Sequence, residues 1–540
     1  MWLSEALWAP LLFPEKAASA ERLAQKEAAR EKIRPFSPPK ISDLLDETCA
    51  GWCEDIDWSA FDLIGFSLCF HQTLASLYLA RRIKARYPEN RIVFGGSSIL
   101  AGMAGTLQRL AGVDFCISGE GELPLLGLCR RILSEKSDAK RLFSDKTPEA
   151  PAPPDAMPCD RRQLADLDGL PMPDYGDYFR DAGVAFGPSS PPVTLPVEFS
   201  RGCWWNKCAF CNLNLQWSGY RRKSANRMKK EISTLISRHQ VLDFSFTDNC
   251  LPLRESRQFF SLPAAEGKDI NFFAEVRQEQ AASFESFRLG GLSEVQVGIE
   301  ALSSGLLARM GKGGKTIDNI YAMKHALECG IQLQGNLILC FPGSTELERD
   351  ETLRNLEFVF PYTPLQGASF FLGHSSPVHR APKVYGIRAI TVHPKFRALL
   401  PDCLLGHLPL LVCGYRGDRL EQNHLWQPVR KKIEAWQRFH RNRGCSAVER
   451  PLLEYRDGGD FLLIRQEYPD ERILHHRLNG TSRTLYLFCS APVSCKEICL
   501  QYPSLDQKKI ADFLHQLQRK RLVFEEDGRY LALAVRQRQR

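Results

Sequence analysis

Stretches of apolar residues alternate with amphipathic stretches along much of the chain, and this alternation predicts strands joined by helices. After a mostly helical start at residues 1–59, the run FDLIGFSLCF at 61–70 predicts a buried parallel strand. TLASLYLARRIKARY then predicts a helix with one apolar face, RIVFGGSS predicts the next strand, and VDFCISGEGE repeats the strand and glycine turn. We therefore predict an α/β domain at residues 1–130 with a doubly wound parallel sheet.

The same alternation recurs six times between residues 191 and 372. Amphipathic stretches that predict helices separate six predicted strands, near 193–199, 242–247, 270–276, 294–299, 331–339 and 366–372. This pattern predicts a second parallel sheet with helices on its outside, in which ligands are expected at the carboxyl ends of the strands.

Three further segments complete the predicted organisation. Residues 131–190 contain the Pro-rich run KTPEAPAPPDAMP and predict an extended linker, and residues 373–449 predict a helical extension. From residue 450 to residue 540, short strands precede three helices and a hairpin whose turn is Asp527-Gly528. Strands, three helices and a hairpin predict a small winged-helix-like α+β domain.

Composition narrows the class of protein. A chain of 540 residues with 44% hydrophobic and 25% charged residues predicts a globular protein of several domains. No apolar run reaches the roughly 20 residues that a membrane span needs, and the amino terminus lacks a signal-peptide pattern, so we expect a cytoplasmic protein without a membrane partner. The net charge of +8 is mild and does not favour nucleic-acid binding, while it is compatible with an acidic peptide partner.

The chemistry with the strongest sequence signal is the spacing C-x4-C-x2-C of Cys203, Cys208 and Cys211, within RGCWWNKCAFC. A structural zinc site needs four protein ligands, and no fourth Cys or His is close in sequence. A [4Fe-4S] cluster on three cysteines leaves one iron open to chelation by S-adenosylmethionine (SAM). A zinc knuckle and three unrelated buried thiols remain the alternatives.

These residues carry a resemblance to a known family. The strand followed by RGC and CxFC resembles the radical SAM superfamily, and RGCWW, FCNLN and YRRKS resemble its members with a cobalamin-binding-type amino-terminal domain that mature ribosomal peptides (RiPPs). The usual first cysteine spacing is shorter, so C-x4-C is a departure. The resemblance implies that residues 191–372 form a partial (β/α)6 barrel.

Polar residues follow the predicted barrel strands in series and are candidates for the SAM site. The carboxylate of SAM requires a basic or amide group, for which Arg277 and Asn336 are suited, and its amine or ribose requires a carboxylate such as Glu275 or Glu300. Phe210 resembles the aromatic residue that lies against the adenine. The remaining candidates at strand ends are Asp248, Asn249 and Gly298.

For the amino-terminal domain, the resemblance implies a cobalamin site on the segments IGFS, VFGGSS and ISGEGE. The positions carried over lie at or after strand ends and are Ser67, Gln72, Thr73, Gly95, Gly96, Gly119 and Glu120. The sequence has no D-x-H-x-x-G motif, so we expect cobalamin in a base-off state without a histidine in place of its lower base. The family's first strand and helix have no counterpart here, so we expect a domain that is truncated at its start.

The resemblance also implies partners and a reaction. The segment 450–540 resembles the leader-peptide recognition element of peptide-maturing enzymes, which binds a leader along a sheet edge. The leading hypothesis is a cobalamin-dependent C-methyltransferase acting on an unactivated carbon of a peptide, reduced by flavodoxin or ferredoxin. One alternative is a cobalamin-independent radical SAM enzyme that acts on a small molecule or forms a crosslink. The other is a non-catalytic metal-binding interaction protein.

Overall fold

The computed structural model describes residues 2–142, 163–187, 192–261, 269–443, 450–470 and 472–537. The Pro-rich run of the predicted linker lies outside these ranges, so the prediction of an extended connector stays a prediction there. In the described part of residues 131–190 the prediction is wrong in two places, because the helix Glu122–Leu142 continues past residue 130 and Gly176–Phe186 is also a helix. Two compact units are described separately below. The first unit comprises residues 1–165, 211–218 and 371–417, and the second comprises residues 166–210, 219–370 and 418–540.

The amino-terminal part of the first unit is a parallel α/β structure preceded by helices, as predicted. Its elements are α1 (Trp2–Leu12), α2 (Ala17–Arg30), α3 (Pro38–Asp55), β1 (Ile64–Ser67), α4 (Thr73–Arg86), β2 (Ile92–Gly95), α5 (Ala104–Ala111), β3 (Phe115–Cys116) and α6 (Glu122–Leu142). The sheet order is β1-β2-β3, with both pairs parallel. This order does not reverse within the described residues, so the double winding expected from the sequence is not seen there.

Apolar residues on α1 and α4 form the core of this part. Ala6 and Ala9 are buried on α1, and Leu74, Leu77 and Ile83 are buried on α4. The residues that pack together continue through β1 and β2 to Leu399 and Leu400 in the later part of the same unit. The periodic apolar positions of both helices thus explain why α1 and α4 pack against each other.

The second unit contains the predicted series of six parallel strands. Its elements up to residue 369 are α7 (Gly176–Phe186), β4 (Thr194–Val197), β5 (Ser200–Arg201), β6 (Arg221–Arg222), α8 (Ala225–His239), β7 (Asp243–Phe246), α9 (Leu253–Ser261), β8 (Asn271–Val276), α10 (Phe284–Leu289), β9 (Leu292–Val297), α11 (Ser304–Arg309), α12 (Thr316–Cys329), β10 (Gln332–Gln334), β11 (Asn336–Leu339), α13 (Glu346–Val359) and β12 (Gln366–Ser369).

The strands follow one another in sequence order through this sheet. Five strands lie in the order β10-β9-β8-β7-β4, and β11 pairs with β12, all in parallel. The fifth predicted strand is interrupted at Gly335, where a Cβ atom would lie 2.9 Å from a side-chain carbon of Leu365. A bridge between Glu300 and Leu337 carries the pairing past this break. The prediction of a six-strand parallel structure is therefore confirmed.

The two faces of these strands differ in burial. On β8, Phe272, Ala274 and Val276 are buried, whereas Phe273 and Glu275 are only partly buried. β7 and β11 alternate in the same way. Because successive side chains of a strand point to opposite faces, one face is covered by apolar packing and the other is accessible. The accessible face is where a ligand can bind.

Residues 371–417 belong to the first unit and are not simply helical, which corrects the expectation of a helical extension at 373–449. The segment contains β13 (Leu372–Gly373), α14 (Pro377–Arg380), β14 (Ala389–Val392), α15 (Pro394–Leu399), α16 (Asp402–Leu405) and β15 (Val412–Arg416). The strands form an antiparallel sheet in the order β13-β15-β14. Only the long helix α17 (Arg419–Arg443), which belongs to the second unit, fits the expectation.

The carboxy-terminal elements match the predicted strands, three helices and hairpin. They are β16 (Leu453–Asp457), β17 (Phe461–Glu467), β18 (Ile473–Asn479), α18 (Thr481–Phe488), β19 (Val493–Ser494), α19 (Cys495–Gln501), α20 (Gln507–Arg519), β20 (Val523–Glu526), β21 (Arg529–Ala532) and β22 (Val535–Arg536). They form sheets in the orders β18-β17-β16-β22 and β19-β21-β20.

This part packs against α11, α12 and the segment that follows α13 in its own unit. The Glu526 carboxylate accepts hydrogen bonds from Ser304 Oγ and from the Ile317 backbone N–H, and the hydroxyl of Tyr362 donates to the Leu533 carbonyl at 2.7 Å. Residues 450–537 are therefore not an independent body within the described structure.

Among the described helices, none combines the length and the apolar character that crossing a bilayer requires.

Candidate functional site

The loop that carries the cysteine motif begins where the first barrel strand ends. β5 and β6 form a short antiparallel pair at its base, and Cys203 and Cys208 are partly buried beyond it. Cys211, also partly buried, opens the short stretch at 211–218 that belongs to the first unit. Phe210, the adenine candidate, is partly buried at the end of the second unit's portion of the loop.

The segment MGKGG at 310–314 holds this loop by its backbone. Ala209 N–H donates to the Met310 carbonyl at 2.7 Å, and Trp205 Nε1–H donates to the Gly311 carbonyl at 2.8 Å. Gly313 has φ +71°, and a Cβ atom there would lie 2.5 Å from the Trp205 ring. Only glycine fits such close contact with a left-handed backbone. The segment therefore shapes the loop between Cys203 and Cys208.

Asp248 anchors the other side of the loop. Its carboxylate is buried, accepts the Phe199 N–H at 2.9 Å, and also accepts the hydroxyl of Ser200. Burial raises the pKa of Asp248 to about 7, against the lowering effect of these hydrogen bonds. Asp248 thus links the end of the second barrel strand to the start of the cysteine loop, and Asn249 beside it is partly buried.

Arg277 is buried against the tryptophans of the cysteine loop. Its guanidinium carbon lies 4.4 Å from the centre of the Trp205 ring and 5.3 Å from that of Trp204. It donates to the Lys312 carbonyl at 2.6 Å and pairs with Glu279 at 2.9 Å. Its donors are thus engaged in supporting the loop, whereas the sequence analysis assigned it to the SAM carboxylate. That assignment stays a prediction.

Two carboxylates and one ammonium group lie together at the ends of the third and fourth strands. Lys312 Nζ lies 3.2 Å from Glu300 Oε1, and both groups are largely shielded from solvent. Burial and the nearby Glu300 raise the pKa of Glu275 to about 7, although Lys312 opposes the rise. Gly298 leaves space for the ion pair of Lys312 and Glu300, because a Cβ atom at this position would lie 2.4 Å from Lys312 Nζ.

Glu300 joins the fourth and fifth strands in a strained conformation. Its φ is +60°, a left-handed value that non-glycine residues seldom adopt. Its N–H donates to the Asn336 carbonyl at 2.9 Å, and its carbonyl accepts from Ile338 N–H at 2.8 Å. The side chain of Asn336 itself is exposed on the accessible face of β11. The structure therefore brings together Glu275, Gly298 and Glu300, with Asn336 on the adjoining strand.

The charges around Cys208 act in opposite directions. Burial raises the pKa of the Cys208 thiol, whereas Lys312 and Arg277 lower it. Cys250 is buried, and burial raises the pKa of its thiol to about 12. Two cations beside Cys208 favour its thiolate, the form in which cysteine binds metal.

In the first unit, the residues predicted for cobalamin lie at the carboxyl ends of β1 and β2 and after β3, as expected. Ser67 is exposed at the end of β1. The Gln72 side chain accepts the Cys69 N–H at 2.9 Å. Thr73 begins α4, and its N–H donates to the carboxylate of Glu5 at 3.0 Å. Of these three side chains, that of Gln72 has a described hydrogen bond, that of Ser67 is exposed, and that of Thr73 is partly buried while its backbone N–H is engaged by Glu5.

The glycines at the other strand ends serve close packing. At Gly96, with φ +100°, a Cβ atom would lie 2.5 Å from the Leu68 carbonyl oxygen, whereas Gly95 is less constrained. Gly119 also has a left-handed φ of +96°. Glu120 is buried, and its carboxylate accepts the Leu164 N–H at 3.1 Å. A Cβ atom at Gly95 or Gly119 would make only ordinary contacts, with the Ile117 and Gln216 carbonyl oxygens respectively, while Glu120 has an internal partner.

Sequence reasoning missed two residues of these sites. Lys312 was not singled out, although three glycines around it in MGKGG were a visible signal of close backbone packing. Glu5 was also missed, because nothing in the sequence relates residue 5 to the first turn of α4. Its carboxylate accepts the N–H groups of Thr73 and Leu74, both at 3.0 Å.

No family model matches the chain. Comparison with curated proteins does find relatives, whose names describe different enzymes. The chain is 28% identical over 305 residues to an uncharacterized methyltransferase of Pyrococcus horikoshii, covering 54% of the chain and 63% of the relative. It is 24% identical over 344 residues to the hopanoid C-3 methylase of Methylococcus capsulatus, and this match covers 61% of the chain and 63% of the methylase. It is also 24% identical over 373 residues to the anaerobic magnesium-protoporphyrin IX monomethyl ester cyclase of a Synechocystis strain. That match covers 65% of the chain and 68% of the cyclase.

Among solved structures, the chain is similar to OxsB, a cobalamin-dependent SAM radical enzyme solved with aqua-cobalamin and SAM bound. The TM-score is 0.52 at 15% sequence identity, and the match covers 76% of this chain and 63% of OxsB. At this identity the likeness establishes the fold. The chain has the fold of the cobalamin-dependent radical SAM enzymes, as the sequence predicted, and it spans 63% of the length of the first two curated relatives.

Proposed function

We propose that this protein is a radical SAM enzyme and, more narrowly, a cobalamin-dependent methyltransferase of a peptide substrate. The observation that carries the enzyme proposal is the cysteine loop at the end of the first parallel strand, next to the group of Glu275, Glu300 and Lys312. Cys203, Cys208 and Cys211 provide three thiolates and no fourth ligand close in sequence, which suits a cluster with one open iron. Burial raises the pKa of the Cys208 thiol, and the cations Lys312 and Arg277 oppose that rise.

In this proposal the accessible face of the barrel strands binds SAM. Glu275 and Glu300 offer carboxylates to the amine or ribose, and the exposed amide of Asn336 is available to the carboxylate. Lys312 and the MGKGG segment keep Glu300 and the loop in position. When bound, the cluster supplies one electron to SAM and cobalamin supplies the methyl group. The protein aligns these groups and excludes water.

Cobalamin fits the first unit at its open strand ends. Ser67 is exposed, and Gly95 and Gly119 have no side chain that would block a flat macrocycle. The N–H groups at the start of α4 and the carboxylate of Glu120 are already engaged. We therefore assign the cobalamin contacts to Ser67, Gly95 and Gly119, with no histidine below the cobalt.

The proposal of a peptide substrate rests on the edge strand β18. It lies at one end of the order β18-β17-β16-β22 and exposes Ile473 and Leu474. Its exposed His475 and Arg477 add polar and basic character beside these apolar side chains. The backbone of an extended leader peptide can form hydrogen bonds with such an edge strand. Every second side chain of the peptide would then contact the protein. An apolar peptide with acidic residues would suit this edge.

The enzyme proposal is tested by anaerobic reconstitution. We expect about four irons per chain, since three cysteines hold one [4Fe-4S] cluster, and cleavage of SAM to 5′-deoxyadenosine under a strong reductant such as reduced flavodoxin or ferredoxin. Replacing Cys203, Cys208 and Cys211 together by Ala should abolish both, while Cys403→Ser, an exposed cysteine outside the motif, should change neither. A wild-type chain that binds only zinc would contradict the proposal.

The cobalamin assignment is tested by equilibrium dialysis of iron-loaded protein against methylcobalamin. We expect retention with a base-off absorption spectrum that His71→Gln leaves unchanged. No retention by folded, iron-loaded protein would favour the alternative, a cobalamin-independent radical SAM enzyme. The engaged groups at Thr73 and Glu120 are the observation in favour of that alternative.

The peptide proposal is tested with point variants in the full chain, because residues 450–537 also pack on the barrel. Leu474→Asp on β18 should weaken leader-peptide binding at least tenfold, while cleavage of SAM without substrate is retained. Leu500→Asp is the matched control, since Leu500 is also exposed but lies on α19. Equal loss of peptide binding in both variants would contradict a leader site at the β18 edge.

A further inference from the structure

Three side chains with metal-binding atoms meet in the first unit, outside the sites described above. His374 follows β13, His379 lies in α14, and Cys413 lies on β15. One ligand atom from each residue lies within 4.8 Å of those of the other two. The histidines are only five positions apart, but Cys413 is brought to them by the sheet.

The backbone fixes all three positions. Leu372 pairs with Cys413 across the antiparallel β13-β15 ladder, and His374 N–H continues it by donating to the Leu411 carbonyl at 2.8 Å. Ser376 caps α14, because its hydroxyl accepts the His379 N–H at 3.2 Å. The turn between His374 and Ser376 contains Ser375, which has a left-handed φ of +58°. The three side chains are therefore presented by hydrogen-bonded backbone on three separate elements.

The ligand atoms are also available for a metal. The ring nitrogens of His374 and His379 accept and donate no hydrogen bond within the described part of the chain, although the two rings contact each other at 4.9 Å between centroids. The Cys413 thiol has one weak polar contact, to the Leu410 carbonyl at 3.8 Å.

We propose that His374, His379 and Cys413 form a Zn²⁺ site with a fourth position open to water. With zinc–nitrogen bonds of about 2.0–2.1 Å and a zinc–sulfur bond of about 2.3 Å, a tetrahedral ion would draw these atoms to about 3.5 Å from one another. The separations of up to 4.8 Å require only small side-chain rotations to reach this geometry. Binding replaces the Cys413 thiol proton with zinc and releases that proton to solvent.

The donor set favours zinc over the hard divalent cations Mg²⁺ and Ca²⁺. Two imidazoles and one thiolate are borderline to soft donors, whereas Mg²⁺ and Ca²⁺ require oxygen ligands. A bound ion would tie the loop at 374–379 to β15 and so restrain the segment that follows the last barrel strand. This role is separate from the cluster, whose ligands are other residues, and it does not depend on the proposed reaction.

The test measures two metals in one protein, because an empty cysteine motif would also take up zinc. Cluster-reconstituted protein is equilibrated with a small excess of zinc, passed through a desalting column and analysed for iron and zinc. We expect about one zinc per chain in addition to an unchanged iron content, and X-ray absorption at the zinc edge should report two nitrogen ligands and one sulfur ligand.

Variants then locate the ion. His379→Gln and Cys413→Ser should each lower zinc retention at least tenfold with iron unchanged, and His407→Gln and Cys403→Ser, exposed residues of the same unit, should retain it. Hydrogen exchange at β13 and β15 should slow on zinc addition in the wild type only. The proposal is overturned if desalted wild type retains no zinc, or if the site variants retain as much zinc as the controls.

Discussion

The guanidinium of Arg277 stacks on the Trp205 ring at 4.4 Å and donates to the Lys312 carbonyl at 2.6 Å. One side chain thus joins the cysteine loop to the MGKGG segment. Because the guanidinium is planar, it can stack and donate several hydrogen bonds at once, which an ammonium cannot do in the same geometry. Arg277 therefore has a structural task at the site, whether or not it also contacts a ligand.

Replacing Arg277 by Lys should lower the free energy of unfolding by about 2 kcal/mol, because hydrogen bonds from a charged donor are lost in a buried place. Iron retention after reconstitution should fall with it, since the Trp205 ring loses its stacking contact with the guanidinium. Arg288→Lys, on the exposed side of α10, is the control and should change the unfolding free energy by less than about 0.5 kcal/mol. Denaturant unfolding and iron analysis provide both measurements, and equal stability of the two variants would contradict the argument.

Lys312→Met should destabilise the protein by about 3 kcal/mol, because Glu300 is left as an uncompensated, mostly buried carboxylate next to Glu275. Adding Glu300→Gln to Lys312→Met should recover a large part of this loss, since the double variant has no unpaired charge at the two positions. A double-mutant cycle by denaturant unfolding measures the coupling. Additive effects of the two substitutions would show that the pair at 3.2 Å contributes nothing specific.

Gly313→Ala should displace Trp205 and lower both stability and iron retention. The added Cβ would lie 2.5 Å from the Trp205 ring, and the backbone φ is +71°. The matched control is Gly528→Ala in the β20-β21 turn, where φ is also +71° and no atom lies within 4 Å of the added Cβ. Strain from φ alone costs about 1–2 kcal/mol, so the control should lose that much and Gly313→Ala more. Similar losses of stability in both variants would show that the contact with the Trp205 ring contributes nothing beyond the backbone strain.

The raised pKa of Glu275 predicts a pH dependence of stability. Its folded-state value of about 7 lies above its ordinary value of 4.5, because burial and Glu300 disfavour the charged form. The stabilising contribution of the neutral acid is therefore full below pH 4.5 and is lost as the pH rises through about 7. Glu275→Gln should gain stability relative to wild type between pH 5 and pH 8, as measured by denaturant unfolding. A constant difference across this range would contradict the shift.

The sequence by itself determined the class of fold, because periodic apolar positions fix which face of each strand and helix is buried. The six barrel strands, the amino-terminal parallel sheet and the three carboxy-terminal helices with their hairpin could all be predicted in this way. The cysteine motif was equally clear, since its three ligands lie within nine residues of one another. Local spacing was enough for each of these features.

Tertiary structure alone decided which distant residues meet. Lys312 reaches Glu300 and the cysteine loop because three glycines let its segment approach closely, and Glu5 reaches the start of α4 from 68 residues away. Cys413 meets His374 and His379 through an antiparallel sheet that lay within a predicted helical extension. Such contacts depend on how elements pack, and the periodicity of a single element carries no information about its partner.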